Sequence, residues 1–434
     1  MTPRSTKRLA HGTYGLETVL IHGRARSPKW DYSHHVVPPL SASVTYRLES
    51  EHRGAKGFVD FASPGTSHFK RAPIYLYDRL DEPTRGMLEE RLAYAHQAEV
   101  AVAFASGMGA IAAVFGVTMD SGDEVLAHQT LYGCTVSLFD NWFPKYRMRA
   151  RYADLSDTKR LARRITPRTR VVYLESPTNP TLECLDIAAI AKVLKAANRR
   201  RRRPALLCVD NTFATPCGQR PLALGADFVV ESLTKNVGGF GTDMGGAVMT
   251  RRAFESHLFL YRKDFGAVLS SKAAWAILVY GLPTLPTRLK RQEEIALEVA
   301  TWLERHPKVA RVFYPGLPSF PWRDLARRQM IDYAGAFAPG HMIYFEMRGN
   351  ARRSGRVAER FVDTIASEAY TVTLAVSLGQ IRTLIEHPAS MTHAALTTGE
   401  QRKAWLVPGG VRLSVGLEEP GDIIADLEKA LRKA

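Results

Sequence analysis

The chain has 434 residues, 45% hydrophobic and 24% charged, the composition of a globular protein with a large core. No stretch reaches the roughly 20 uninterrupted apolar residues of a membrane helix, and the basic opening MTPRSTKRLAHGTYG lacks the apolar centre of a secretory signal. The net charge of +16 points to an anionic partner, while Cys134, Cys184, Cys208 and Cys217 show neither metal nor disulfide spacing, so a reduced, cytoplasmic chain without metal is expected.

The first ~75 residues, with Pro38-Pro39 and Pro64-Gly65, read as an irregular extended arm. From about Thr84 the pattern alternates: helix over Arg85–Tyr94, buried strand over Val100–Phe104, helix over Gly109–Val117, strand over Glu124–Ala127. Further strands follow at Arg170–Leu174, Ala205–Val209 and Phe228–Val230, with helical pattern between, as at Ile187–Ala197. This rhythm predicts an α/β fold, a largely parallel sheet covered on both faces. The basic run Arg199–Arg203 lies between helix and strand and reads as a solvated loop, with no nucleic-acid motif beside it. A long helical stretch, Ala273–Glu304, is expected to kink or break at Pro283 and Pro286. The strand MIYFEM, a helix near Ser354–Ala366 and the strand in VRLSVG predict a smaller α+β unit. The division expected is an arm over 1–79, a large domain over 80–270 and a C-terminal domain over 271–434.

Four loops follow strands, where open α/β sheets gather their ligands. Ala105-Ser106-Gly107-Met108-Gly109 leads into a helix and offers backbone N–H groups to a phosphate. In Glu175-Ser176-Pro177-Thr178-Asn179-Pro180 two prolines aim Asn179. Asp210 closes an apolar strand and calls for a positive partner. Ser232-Leu233-Thr234-Lys235 brings two hydroxyls and an amine to one strand end before a glycine run. Taken singly, each loop is equally a tight turn or a helix cap. Together they meet the needs of pyridoxal 5'-phosphate: a phosphate cradle, a lysine for its aldehyde and an acid for its ring nitrogen.

The segments YDRLDEPTRGMLEERLA, ASGMGAI, TLYGCT, LESPTNPTL, VDNTFATP, LGADFVVESLTK, AVSLGQIRTLIEHPASMTH and VRLSVGLE carry a resemblance over about Thr18 to Leu431. The chain resembles the Cys/Met-metabolism (transsulfuration) family of pyridoxal-phosphate enzymes, which includes methionine γ-lyase, cystathionine γ-lyase, cystathionine γ-synthase and O-acylhomoserine sulfhydrylases. The resemblance implies the aspartate aminotransferase-like fold, fold type I, with a mainly parallel seven-stranded sheet. It implies that Lys235 carries the cofactor and moves protons, that Asp210 pairs with the ring nitrogen, and that Gly107, Met108, Ser232 and Thr234 hold the phosphate. Tyr77 and Arg79 would reach the phosphate of a neighbouring subunit in a homotetramer. Tyr132 would stack on the ring, Asn179 would approach its phenolic oxygen, and Arg412, with Ser377 and Thr383, would take the substrate α-carboxylate.

The sequence departs from the family pattern at several places. Glu231 stands where His is usual, Asn236 where a bulky residue follows the lysine, Phe240 for a common His and Glu82 for a common Asn, and the arm at Lys56–Pro73 is long. Cys134, two residues after Tyr132, and apolar Val376 before Ser377 favour γ-elimination from a sulfur-containing amino acid, as in methionine γ-lyases. The Gly239–Thr242 pattern resembles the sulfhydrylases, so γ-replacement and cystathionine γ-lyase activity remain the alternatives.

Overall fold

The computed structural model describes residues 14–23, 35–61, 63, 74–391 and 407–434. The residues 1–13 read as lacking a signal, and most of the arm insertion, lie outside the described residues. The described part of the arm is more regular than expected. Leu16–His22 and Glu51–Asp60 are helices, the second capped by the Ser50 hydroxyl, which accepts from the Arg53 N–H.

The large sheet contains β1 (Val100–Phe104), β2 (Glu124–His128), β3 (Arg149–Ala153), β4 (Thr169–Glu175), β5 (Leu206–Asp210), β6 (Phe228–Glu231) and β7 (Gly246–Thr250). Its order is β1-β7-β6-β5-β4-β2-β3, and only β7 runs antiparallel to its neighbours. β1 and β7 are buried along their whole length, as strands covered on both faces must be. The helices Gly107–Thr118 and Glu255–Phe265 pack on one face, and Pro83–His96 and Ile187–Asn198 contribute to the other. The sequence reading missed β3 and β7. β3 is an edge strand, RARYA, whose arginines mask its period and protect the open edge. β7 follows the glycine run directly, which reads as loop.

A second sheet, of five strands, is ordered β10-β11-β12-β9-β8, comprising β8 (Val309–Phe313), β9 (Met342–Met347), β10 (Val372–Leu374), β11 (Thr383–Glu386) and β12 (Gly410–Ser414). Its core is closed by the helices Leu282–Arg305, Ala351–Glu368 and Pro420–Lys433. The expected break near the prolines is a π turn, Ile277–Gly281. Each proline ring crowds the carbonyl four residues earlier, and for Pro283 that is Val279 inside this turn. Beyond it the helix Leu282–Arg305 runs on with Pro286 inside it.

The Arg199–Arg203 run is only partly solvated. Arg201 donates to the carbonyls of Thr166 and Thr169, and Arg203 forms ion pairs with Asp120 and Asp123. These two arginines pin the loop that feeds β5 to those that feed β4 and β2. Among the described residues no helix is long and apolar enough to cross a membrane.

One buried ion pair ties the first helix of the large layer to its sheet. Arg262, fully buried, contacts Glu89, and the same carboxylate accepts from the Ala103 N–H at 2.8 Å. Glu89→Ala would leave a buried guanidinium uncompensated, which costs on the order of 3–5 kcal/mol. The denaturant midpoint should fall accordingly. An unchanged midpoint would show that the pair contributes nothing.

Candidate active site

The C-terminal ends of β4, β5 and β6 meet in a cavity of about 280 Å³ on the side facing the second sheet. Ser106, Gly107, Met108, Tyr132, Asn179, Asp210, Ser232, Thr234, Lys235, Val376, Ser377 and Arg412, twelve of the residues singled out from sequence, line it together.

The end of the cavity expected to take a phosphate is built at the turn from β1. Ser106 caps the helix Gly107–Thr118, its hydroxyl accepting from the Gly109 N–H at 3.1 Å. The N–H groups of Gly107 and Met108 belong to the first turn, which has no intrahelical acceptors. A Cβ on Gly107 would lie 2.9 Å from Ser232 Cβ, so only glycine lets Ser232 close this cradle. The Thr234 hydroxyl donates to the Gly245 carbonyl and accepts from the Gly245 N–H, which fixes the loop between β6 and β7. This loop reverses the chain into antiparallel β7, which is why glycines follow the lysine. Gly239 and Gly241 both have positive φ.

Asp210 and Glu175 end neighbouring parallel strands in register. Asp210 accepts from the Thr212 N–H and faces the Tyr173 hydroxyl; Glu175 accepts from the Tyr132 N–H at 2.6 Å. Burial raises both carboxyls, Glu175 well above the ordinary range and further so because Asp210 lies beside it. No ion pair to either is found among the described residues. Two buried carboxyls short of a cation fit the protonated ring nitrogen of pyridoxal phosphate, and the cradle fits its phosphate.

Lys235 Nζ donates to Ser377 Oγ at 2.8 Å. Burial lowers the lysine pKa and the Arg412 charge lowers it further, against the opposing effects of Glu386 and Cys134. Ser377 sits at φ 94°, a left-handed conformation that costs roughly 1–3 kcal/mol in a residue with a side chain. Its carbonyl accepts from Arg412 Nη2 at 2.8 Å. Arg412 Nη1 contacts Glu386 at 2.9 Å and Asn179 Oδ1 at 3.0 Å. Among the described residues these contacts use three of the five guanidinium donors, which leaves Nε and one Nη2 hydrogen for a carboxylate.

Tyr132 precedes the helix Gly133–Asn141 and is 38% exposed. Burial of the rest of the ring and the Cys134 thiol bonded to it raise its pKa. Cys134 is itself exposed. Tyr77 and Arg79 do not line the cavity. Both are exposed, and Arg79 donates to the Lys263 carbonyl. Thr383 corrects the sequence reading. It is fully buried on β11 and outside the cavity lining, and its hydroxyl donates to the Glu418 carboxylate and accepts from the Gly416 N–H, so it fixes strand ends.

Sequence reasoning passed over Glu175 and Glu386. Each closes an apolar strand, in VVYLE and TLIE, the same signal that singled out Asp210.

The sequence matches the family model for Cys/Met metabolism PLP-dependent enzymes over residues 17–432. It is 38% identical over 422 residues to an L-methionine gamma-lyase of Fusobacterium nucleatum subsp. polymorphum, covering 97% of this chain and 98% of the relative. It is 39% identical over 360 residues to an O-succinylhomoserine sulfhydrylase of Pseudomonas aeruginosa, covering 83% and 84%. The solved cystathionine gamma-lyase of Lactobacillus plantarum, in complex with L-serine, aligns with a TM-score of 0.82 at 32% identity over 97% of this chain and 99% of that one.

The cradle has a direct test at the neighbouring strand. A Cβ on Gly246 would lie 2.2 Å from the Ser106 carbonyl oxygen and 2.6 Å from the Gly107 nitrogen, both backbone atoms that cannot swing aside. Gly246→Ala should therefore displace the cradle and weaken retention of pyridoxal phosphate at least tenfold, about 1.4 kcal/mol. Equilibrium dialysis of the cofactor measures it, and wild-type retention would refute the assignment.

Proposed function

The chain belongs to the Cys/Met-metabolism family of pyridoxal-phosphate enzymes, and on that premise we propose that it removes the γ-substituent of sulfur-containing L-amino acids, methionine foremost. The reaction breaks the Cγ–S bond of L-methionine and, with one water, gives 2-oxobutyrate, ammonia and methanethiol. One observation carries the choice of substrate. Among the described residues of the cavity wall the only cations are Lys235 and Arg412, and the wall beside Ser377 is apolar Val376. Arg412 serves the α-carboxylate, and among the described residues of the cavity wall no further cation faces a distal carboxylate such as that of cystathionine.

Bound in this pocket, the cofactor supplies an electron sink for the negative charge that develops at the substrate Cα. Lys235 would hold it covalently, with Gly107, Met108, Ser232 and Thr234 at its phosphate and Asp210 at its ring nitrogen. The lysine amine, biased by burial toward its neutral form, takes the proton from Cα. Arg412 fixes the α-carboxylate through its free donors, while Glu386 and Asn179 hold the guanidinium in place. Tyr132 keeps its phenolic proton at neutral pH and stands ready to give it to the departing sulfur. Asn179, whose Oδ1 accepts from Arg412, would approach the cofactor's phenolic oxygen with its amide nitrogen.

γ-Replacement would use the same residues. It is the second reading because of the Gly239–Thr242 pattern and the similarity to an O-succinylhomoserine sulfhydrylase. The proposed assembly is a cytoplasmic homotetramer in which the arm, 1–79, carries Tyr77 and Arg79 to the partner's phosphate site, with domains over 80–270 and 271–434. The exposure of both residues and their absence from the cavity of their own chain support it.

Methionine should be cleaved with a higher kcat/KM than cystathionine. An unmet charge at Val376 costs about 1–3 kcal/mol, roughly tenfold or more. Val376→Glu should narrow the gap, read as 2-oxobutyrate release. Strict dependence on an added thiol would move the assignment to replacement.

Subunit sharing predicts complementation. Arg79→Ala and Lys235→Ala chains, each inactive, should regain part of the wild-type activity when refolded together, because a hybrid dimer holds one intact site. Full activity in a stable monomer would overturn the shared site.

A further inference from the structure

Asn236 follows the lysine and is almost fully buried. Its amide Nδ2 donates to the Thr212 carbonyl at 2.9 Å, which turns Oδ1 toward His341 Nε2 at 2.5 Å. With Oδ1 as acceptor, His341 must be the donor, a neutral imidazole protonated on Nε2. Burial, with the Arg288 charge adding to it, lowers His341 to about 4, so this neutral form persists at physiological pH. His341 immediately precedes β9 of the second sheet, and its carbonyl accepts from the Val415 N–H beyond β12. Arg288 donates to the Asn236 carbonyl from the long helix.

Gly379 closes the arrangement. At φ +76° a Cβ there would meet the Asn236 nitrogen at 2.5 Å and Oδ1 at 2.6 Å, so the Ser377–Gly379 backbone rests on the Asn236 amide. The two segments touch twice, at Gly379 against Asn236 and at Ser377 Oγ with Lys235 Nζ.

We infer that the Asn236–His341 hydrogen bond is a brace between the two sheets that sets the Lys235 amine against Ser377 and Arg412, making Asn236 and His341 positioning residues for proton transfer. An asparagine fits this place because one side chain must donate to Thr212 and accept from His341 at once. Without the brace the lysine loop is held to the second sheet by the Ile381 N–H to Gly239 carbonyl bond and the Lys235–Ser377 bond itself. The inference rests on the proposal that Lys235 moves the Cα proton.

The test compares His341→Ala with His341→Gln, whose amide N–H can replace the donor. Two readouts are taken. The first is acetylation of Lys235 in cofactor-free protein by limiting acetic anhydride, read by mass spectrometry against surface lysines. The second is exchange of the L-methionine Cα proton in D2O by the cofactor-loaded enzyme, resolved into kcat and KM. His341→Ala should change Lys235 labelling at least about threefold and lower the exchange kcat about ten- to a hundredfold, the effect of misplacing a reacting group by about 1 Å. KM should change little, and His341→Gln should restore both readouts most of the way. Unchanged labelling and kcat in His341→Ala would overturn the brace. So would equal losses in the Ala and Gln variants, which indicate packing alone. If His341→Ala does not fold, His341→Leu takes its place: it fills the same space, removes the donor to Asn236 Oδ1, and should show the same loss. Should the wild-type enzyme exchange no Cα proton from methionine, the substrate reading fails, and the labelling arm still decides the brace.

Discussion

Glu175 and Asp210 end adjacent strands with their carboxyl groups on one face, screened from water and without a cation among the described residues. In a low-dielectric site two such groups cannot both ionise cheaply. Burial and mutual repulsion both favour the protonated carboxyls, and a ring cation beside them would relieve the pair. Other features of the cavity follow from where this pair lies. Parallel strands bring their carboxyl ends to one rim, so the cradle after β1, the turn after β4 and the lysine after β6 converge there without long loops. A cofactor that binds only the folded site also stabilises the fold by mass action.

On the opposite wall the problem is inverted. Arg412 and Lys235 are two cations in one buried space, and Glu386 faces both. Glu386 is close enough to neutralise Arg412, at 2.9 Å, while among the described residues Lys235 Nζ bonds to the Ser377 hydroxyl. The arginine therefore stays charged and the lysine is the group that yields its proton. That division suits a site in which one cation must bind a carboxylate permanently and the other must alternate between base and acid. The strained backbone of Ser377 is maintained because its carbonyl anchors Arg412 and its hydroxyl anchors Lys235.

The parts legible in the sequence share one property: their chemistry is local. A small-residue turn ahead of a helix, an aspartate after an apolar run and a lysine ahead of glycines each announce themselves within a few residues. Lys235, Asp210 and the Gly107-Met108 turn, which line one cavity, were singled out in this way. Glu175 and Glu386 carried the same strand-end signal, yet their meaning depends on Asp210 and Arg412, which lie on other strands and far along the chain. Thr383 failed for a related reason, since only the fold shows that Glu418 claims its hydroxyl. The arginine run is a largely exposed loop, as its composition suggests, but composition cannot show that Arg201 and Arg203 bend back onto loop carbonyls and aspartates. β3 was hidden by its edge position, and β7 by the glycines that make its reversal possible.

The unusual residues around the lysine loop obey a further constraint. Glu231 ends β6 with its side chain in the interior, where an isolated carboxylate would be prohibitive, and His96 meets it at 2.6 Å with neither side chain exposed. Asn236 is likewise matched by His341. Both histidines come from elements laid against the loop, the end of the helix Pro83–His96 and the residue before β9. A buried polar residue next to the lysine thus brings with it a partner on a distant element. Removing one member leaves the other with an unmet hydrogen bond or charge, whereas exchanging both for well-packed apolar groups need not destabilise the fold. Partnering of this kind lets the surroundings of Lys235 differ from the family pattern while the groups that hold the cofactor keep their places.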